Sequence, residues 1–455
     1  LGGPHLDLDM ASSLPRTTAL RLSLPSLGAR ARLGSSFPGA VRPSPLRPWL
    51  PCCLGGPNSR HEPPPARDVA TRAESGGAGG AGPAKPASRA SFSYNLGGMA
   101  KKTFKNLQGV YKRYQDEKLE RQDVIREVTF ASINGFISQS LTEEEVEGLM
   151  AGGERSAAVV AKLKAINARV DGGLPSPPVV GTDVEETLMG GVPCVWVRPT
   201  DPVPNKAILY LHGGAYVMCS HKTHLRLISS ISAASGVSSL AVNYRRLHED
   251  GATHREALAD ALSAYQALLR EGYRGKDIVV AGDSAGGHLM ICLILELLRR
   301  GGAGSEMPAA GVGLSPWIDP ACAGNNTLRS WEERQGDCYL GGAQHILQGI
   351  ISGFPEDSPY RSLLNKDLEL EGLPPLLLQC GTRESLLAEI RDFATMATVA
   401  GVDCRLSEYE GMVHVFQMFA DLEPKGLEAI EEIASFVLQP GGGGICPPEP
   451  SPWRA

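Results

Sequence analysis

No stretch of the chain stays apolar for the roughly eighteen residues that a membrane-spanning helix needs. The longest apolar runs, such as Leu289 to Leu298, stop short and are broken by Glu296, so no membrane span is expected. A dense Lys/Arg block is also missing from the part of the chain that should fold, and the formal charge is −6. A nucleic-acid surface is therefore not expected, and small, neutral partners fit better. The ten cysteines show no C-x-x-C pair and no Cys/His ligand spacing. A chain of 455 residues can bury a core without disulfides, so the thiols read as buried and reduced. Acidic residues are absent from Met10 to Arg60, where Arg, Ser and Pro recur. That is the composition of a transit peptide. It predicts import into an organelle, a chloroplast rather than a mitochondrion, with a cytoplasmic protein carrying a low-complexity tail as the alternative. Met10 is a plausible start, since the sequence opens at Leu1. Pro, Ala and Gly dominate after Glu62, so residues 1–98 are expected to be a transit-peptide-like segment and a disordered linker. Residues 441–455, rich in Gly and Pro, should form a disordered tail. No internal repeat is visible.

What is present begins near Met99. Charged residues alternate with apolar ones at helical spacing from Phe104 to Phe130. A second helix opens at Leu141-Thr142-Glu143, with Thr142 as a candidate N-cap, and a third runs over Ser156–Val170. Residues 99–178 thus read as N-terminal helices that would pack over a sheet or its mouth as a cap. From Val179 the period changes. Short β-type runs at Cys194–Arg198, Ala207–Leu211, Ser238–Tyr244, Asp277–Ala281, Ala309–Leu314, Pro375–Cys380 and Cys404–Tyr409 alternate with helical segments. This predicts an α/β domain over 179–440, a mostly parallel sheet with helices on both faces. Residues 317–373 form a long excursion with one expected helix, Ala343–Ile351, placed to act as a lid or pocket wall. An exposed last strand, Cys404–Tyr409, would let two copies pair as a homodimer.

The chain is organised around IVVAGDSAGGH, Ile278 to His288. An apolar strand breaks into Gly282-Asp283-Ser284-Ala285-Gly286-Gly287 and runs at once into an apolar helix, which fits a nucleophile elbow with Ser284 at its apex. Gly282 and Gly286 stand where side chains would clash, and the N–H of Ala285 would face a developing oxyanion. A glycine-rich loop that merely binds an anion is the bland alternative. An activated serine needs a base and a group that holds the base. On such an elbow the acid and then the histidine follow the serine along the chain. His288 is too close in sequence to face Ser284, and His345 lies in the excursion. His414, in Glu410-Gly411-Met412-Val413-His414-Val415-Phe416, follows the last strand and is the candidate base. Glu384, just past the strand that ends at Cys380, is the candidate acid, with Glu389, Asp392 and Asp403 as rivals. Upstream, His212-Gly213-Gly214 follows an early strand, and the N–H groups of Gly213 and Gly214 are candidates for the oxyanion hole.

Taken together, HGGAY at His212–Tyr216, NYRR at Asn243–Arg246, GDSAGGH at Gly282–His288, SPWID at Ser315–Asp319, GLPPLLLQCGTRESLL at Gly372–Leu387 and YEGMVHVF at Tyr409–Phe416 resemble the hormone-sensitive-lipase-like (fold-3) family of α/β-hydrolase carboxylesterases. The resemblance runs from about Ala207 to Leu438. It implies an α/β-hydrolase fold with a helical cap, no metal or other cofactor, and hydrolysis of small-molecule carboxylic esters, usually of short acyl chains, through an acyl-enzyme. The chain departs from the family's pattern in four places. Ala215 stands at the third glycine of the oxyanion loop and Cys219 at a later one, the segment after Tyr244 reads Arg245-Arg246-Leu247-His248-Glu249, and the acid is a glutamate. A non-catalytic small-molecule receptor on the same fold is the alternative; receptors that resemble the family lose the histidine, whereas His414 is retained here.

Overall fold

Residues along the central strands alternate between two apolar layers, and this alternation fixes which helices cover which face of the sheet. The computed structural model describes residues 142–151, 153–173, 176–301, 306–321 and 351–440. The expected N-terminal segment 1–98, the helix over 104–130, most of the helix over 343–351 and the tail 441–455 lie outside the described residues.

Two helices come first, α1 (Glu143–Ala151) and α2 (Gly153–Gly173). Thr142 caps α1 as expected: its Oγ1 accepts from Glu145 N at 3.2 Å, while Thr142 N donates to the Glu145 carboxylate at 2.8 Å. The strands are β1 (Thr182–Met189), β2 (Val192–Pro199), β3 (Ala207–Leu211), β4 (Ser238–Val242), β5 (Ile278–Asp283), β6 (Ala310–Leu314), β7 (Leu376–Gly381) and β8 (Cys404–Tyr409). They form one eight-stranded sheet in the order β1-β2-β4-β3-β5-β6-β7-β8. β2 runs antiparallel to both neighbours; every pairing from β4 to β8 is parallel.

Between the strands lie α3 (His221–Ser235), α4 (His254–Arg270), α5 (Ala285–Arg299), α6 (Leu387–Val399) and α7 (Pro424–Leu438). Ile208 and Tyr210 of β3 and Val279 and Ala281 of β5 pack in one cluster with Ile228 and Ile231 of α3 and Ile430 and Ile433 of α7. Their alternates Leu209, Leu211 and Val280 pack on the opposite face with α4, α5 and α6. The expected α/β fold with helices on both faces is therefore observed. β1 was not legible in the sequence. Its residues, TDVEETLM, are mostly exposed, so the strand has no apolar face to announce it; a Gly190-Gly191 turn with both φ positive folds it onto β2 along its whole length.

Candidate active site

β5 ends at Asp283 and α5 begins at Ala285, which leaves Ser284 alone to turn the chain. Its backbone sits at φ 51°, ψ −119°, a conformation that costs a non-glycine residue about 1–3 kcal/mol. The turn is held by its own hydrogen bonds. Ser284 N donates to Leu314 O at 2.9 Å, and Ser284 O accepts from His288 N at 3.0 Å and Trp317 N at 2.9 Å. The two flanking glycines are obligatory: a Cβ on Gly282 would lie 2.4 Å from Gly286 O, and one on Gly286 only 2.0 Å from Leu211 O.

His414 reaches this serine from the loop after β8. Its Nε2 lies 2.9 Å from Ser284 Oγ, and the ring is buried. Val415, in the left-handed region at φ 49°, donates its N–H to Ser315 Oγ at 3.0 Å and so pins the loop to the end of β6. Glu384, fully buried, stands behind the imidazole with Oε2 3.4 Å from His414 Nδ1. The turn that carries it is packed on the histidine loop: Arg383 N donates to Met412 O at 2.9 Å, and a Cβ on Gly381 would meet Met412 O at 2.2 Å. Of the rivals, Glu389 is spent elsewhere, since its Oε1 accepts from Ile318 N at 2.8 Å and Asp319 N at 3.3 Å. Asp403 is exposed at the start of β8.

The oxyanion loop requires a correction. Gly213 does not offer its N–H to the serine's surroundings; it donates to Asp283 Oδ1 at 3.0 Å, because the carboxylate next to the nucleophile turns back onto the loop. Among the described residues no protein acceptor takes the N–H of Gly214, Ala215 or Ala285, and that of Ala285, as the first of the helix, has no intrahelical partner. Of the three expected donors, Gly214 and Ala285 thus keep an N–H that no described protein group takes, and so does Ala215. Gly214, Ala215 and Tyr216 have φ of 112°, 53° and 64°, a continuous left-handed run that turns the chain sharply above the elbow.

Asp283 itself was overlooked in the sequence, and the signal was only its place beside the serine. Buried, it accepts from Tyr210 Oη at 2.8 Å, Gly213 N at 3.0 Å and His224 Nε2 at 3.1 Å. Burial pushes its pKa up, but the His224 charge and the hydrogen bonds from His224 and Tyr210 outweigh it, and the net shift is downward. Burial likewise opposes the charge on His224, yet Asp283 raises its pKa overall. His212, buried and next to His224, is pushed down to about 3 and stays neutral; it stacks on Tyr244, whose hydroxyl donates to His212 O at 2.6 Å. Asn167 of α2 is a second overlooked residue. Its side chain donates to Val217 O at 2.9 Å and accepts from Cys219 N at 3.2 Å, so the described part of the expected cap grips the oxyanion loop.

One buried group has the composition of a metal site: ligand atoms of His254, His288 and Cys292 lie within 4.8 Å of one another. Both nitrogens of His288 are already committed, Nδ1 to Tyr216 Oη at 2.6 Å and Nε2 to Tyr360 O at 3.0 Å, so these residues form a hydrogen-bonded core cluster.

A family model described as the alpha/beta hydrolase fold matches residues 208–418. An acetyl-hydrolase of Streptomyces hygroscopicus is 36% identical over 251 residues, covering 55% of this chain and 81% of its own length. The crystal structure of an esterase from the bacterial hormone-sensitive lipase family superposes at TM-score 0.54 and 31% identity, covering 64% of this chain and 95% of that one. The chain belongs to the hormone-sensitive-lipase-like family of α/β-hydrolases. An esterase of Acinetobacter venetianus, 31% identical across 50% of this chain and 73% of its own, falls in line with that membership. The chemistry of this α/β-hydrolase is accordingly ester hydrolysis. Its elbow, histidine loop and acid turn are the carboxyl ends of β5, β8 and β7, where a parallel sheet gathers its reactive groups.

Proposed function

We propose that this hydrolase is a serine carboxylesterase that cleaves short-chain acyl or acetyl esters through an acyl-enzyme, with Ser284 as nucleophile, His414 as general base and acid, and Glu384 as the group that orients the imidazole. The contact of His414 Nε2 with Ser284 Oγ at 2.9 Å carries this reading. The Ser284 hydroxyl proton passes to His414 Nε2 as Oγ attacks the carbonyl carbon. The N–H groups of Gly214, Ala215 and Ala285 receive the oxyanion. His414 returns the proton to the departing alkoxy oxygen as the ester C–O bond breaks. Water then gives a proton to His414 and its oxygen to the acyl carbon, and Ser284 regains its hydrogen as the acid leaves. Glu384 stabilises the imidazolium at both stages.

Preference for short chains is supported by relatives named acetyl-hydrolase and by a solved neighbour soaked with p-nitrophenyl butyrate, 31% identical over 60% of this chain. The test is a series of p-nitrophenyl esters from acetate to laurate with the wild type and Ser284→Ala. Turnover that peaks at two to six carbons and vanishes in the variant is expected; equal, negligible turnover in both proteins would instead favour the receptor reading. β8, outermost in the sheet, supports pairing of two copies edge to edge, and a monomer-sized species alone in sedimentation velocity would end that idea. The acid-free stretch from Met10 to Arg60 supports delivery to a chloroplast, which a fluorescent fusion of that stretch checks.

A further inference from the structure

Two consecutive non-glycine residues of the oxyanion loop, Ala215 and Tyr216, hold left-handed backbone at φ 53° and 64°. Such conformations persist only where the surroundings impose them. The turn is held by Val217 N and Met218 N, which donate to Gly214 O at 3.1 and 2.9 Å, and the Tyr216 side chain is fully buried beneath it. Its hydroxyl lies 2.6 Å from Nδ1 of His288, which sits one helical turn past Ser284 on α5. The direction of this hydrogen bond follows from the other side of the ring. His288 Nε2 faces the carbonyl oxygen of Tyr360 at 3.0 Å, and a carbonyl can only accept, so the proton is on Nε2. Burial and the neighbouring His254 keep the imidazole neutral, so Nδ1 accepts from the Tyr216 hydroxyl. Phe354 and His254 meet the phenol ring edge to face at 5.5 and 5.3 Å and close the slot around it. Tyr216 O, for its part, accepts from Leu247 N at 2.9 Å.

We propose that Tyr216 and His288 are a positioning pair that ties the oxyanion loop to the elbow helix, so that the amides of Gly214 and Ala215 stay in register with Ser284. This deepens the esterase reading and rests on it. Neither residue touches the reacting atoms. Because His288 lies on the helix that begins directly after the nucleophile, the clamp fixes the spacing between the serine and the loop amides, the spacing on which stabilisation of the tetrahedral intermediate depends.

The experiment compares Tyr216→Phe, His288→Leu, His288→Gln and the double variant Tyr216→Phe/His288→Leu with the wild type on p-nitrophenyl butyrate. Active sites are counted with a fluorophosphonate so that misfolded protein does not enter kcat. Loss of one complete oxyanion donor costs about a hundredfold or more, and a mis-aimed donor less. We expect kcat to fall roughly tenfold in Tyr216→Phe and His288→Leu while KM stays within about twofold. Affinity for a phenylboronic acid, whose tetrahedral serine adduct puts an oxygen where the oxyanion forms, falls by the same factor. The double variant is no worse than the worse single one, and His288→Gln, whose amide oxygen can still accept from Tyr216, recovers most of the loss. Unchanged kcat and boronate affinity per titrated site, or multiplicative losses in the double variant, overturn the proposal. A wild type without Ser284-dependent turnover overturns the esterase reading instead, so the two failures are distinguishable.

Discussion

Nε2 of His414 lies 2.9 Å from Oγ of Ser284 across 130 residues of sequence, and both side chains are delivered by turns at the same edge of one sheet. Replacing either by alanine should reduce kcat for p-nitrophenyl butyrate by about a thousandfold or more, with the circular dichroism spectrum retained. A folded His414→Ala protein with near-wild-type turnover would mean that another group serves as the base.

Glu384 and Glu389, both fully buried, divide the test of the acid. Glu384→Gln, behind the imidazole, should lower kcat by roughly tenfold to ten-thousandfold while leaving the melting temperature nearly in place. Glu389→Gln should do the reverse, because its carboxylate caps the backbone of Ile318 and Asp319. Its cost is about 1–3 kcal/mol of stability, read by urea denaturation.

Gly286→Ala places a methyl group where Leu211 O stands 2.0 Å away. The strand or the helix must move, and we expect at least about 2 kcal/mol of destabilisation together with loss of reaction with fluorophosphonate. Gly191→Ala is the control. Nothing lies within 4 Å of the added carbon there, although its φ of 84° still strains any side chain. Its effect should be confined to a smaller loss of stability with labelling intact.

Asp283→Asn removes the charge that raises the His224 pKa and weakens the anchor of Gly213. Breaking a buried pair on one side costs about 3–5 kcal/mol. The sign of the pH dependence follows from the histidine. With its folded pKa above the unfolded value, its contribution is complete below about pH 6.5 and is lost as pH rises through the raised value. The variant should therefore lose more stability at pH 6 than at pH 9, as measured by thermal unfolding.

Other buried histidines act in the opposite sense. His212 and His254 are both pushed down to about 3, burial being the main cause, and His288 also lies well below its ordinary value. Each is neutral in the folded state, whereas the unfolded chain takes up a proton below about pH 6.5. Their stability is complete above that point and drains away as pH falls toward 3, by up to about 1.4 kcal/mol per pH unit per histidine. The melting temperature should drop steeply between pH 6.5 and 4.5. His254→Phe, which can still stack on Phe354, should flatten that slope; an unchanged slope would contradict the assignment.

The fold was legible because buried parallel strands write themselves as unbroken apolar runs. Ala207–Leu211 and Ile278–Asp283 are buried at every position, and each is followed by a turn and a helix. β1 escaped notice because its charged, exposed residues are specified by the strand beside it and by a Gly-Gly turn. At the site, the meeting of Ser284, Glu384 and His414 was legible from chain order and local context. Which amides of the oxyanion loop are left without a protein acceptor was not. Gly213 and Gly214 are the same letter in sequence, and only the fold reveals that Asp283 takes the N–H of the first. His288, set aside as too near to Ser284 to face it, turned out to face Tyr216 instead.

The order in which the ribosome delivers these parts matters. The elbow emerges with β5 and α5, yet its imidazole arrives 130 residues later, on the loop after β8, one of the two edge strands of the sheet. A nascent or truncated chain that ends before residue 414 carries the serine without the imidazole that meets it. On the proposed mechanism, cleaving power is withheld until synthesis has passed β8.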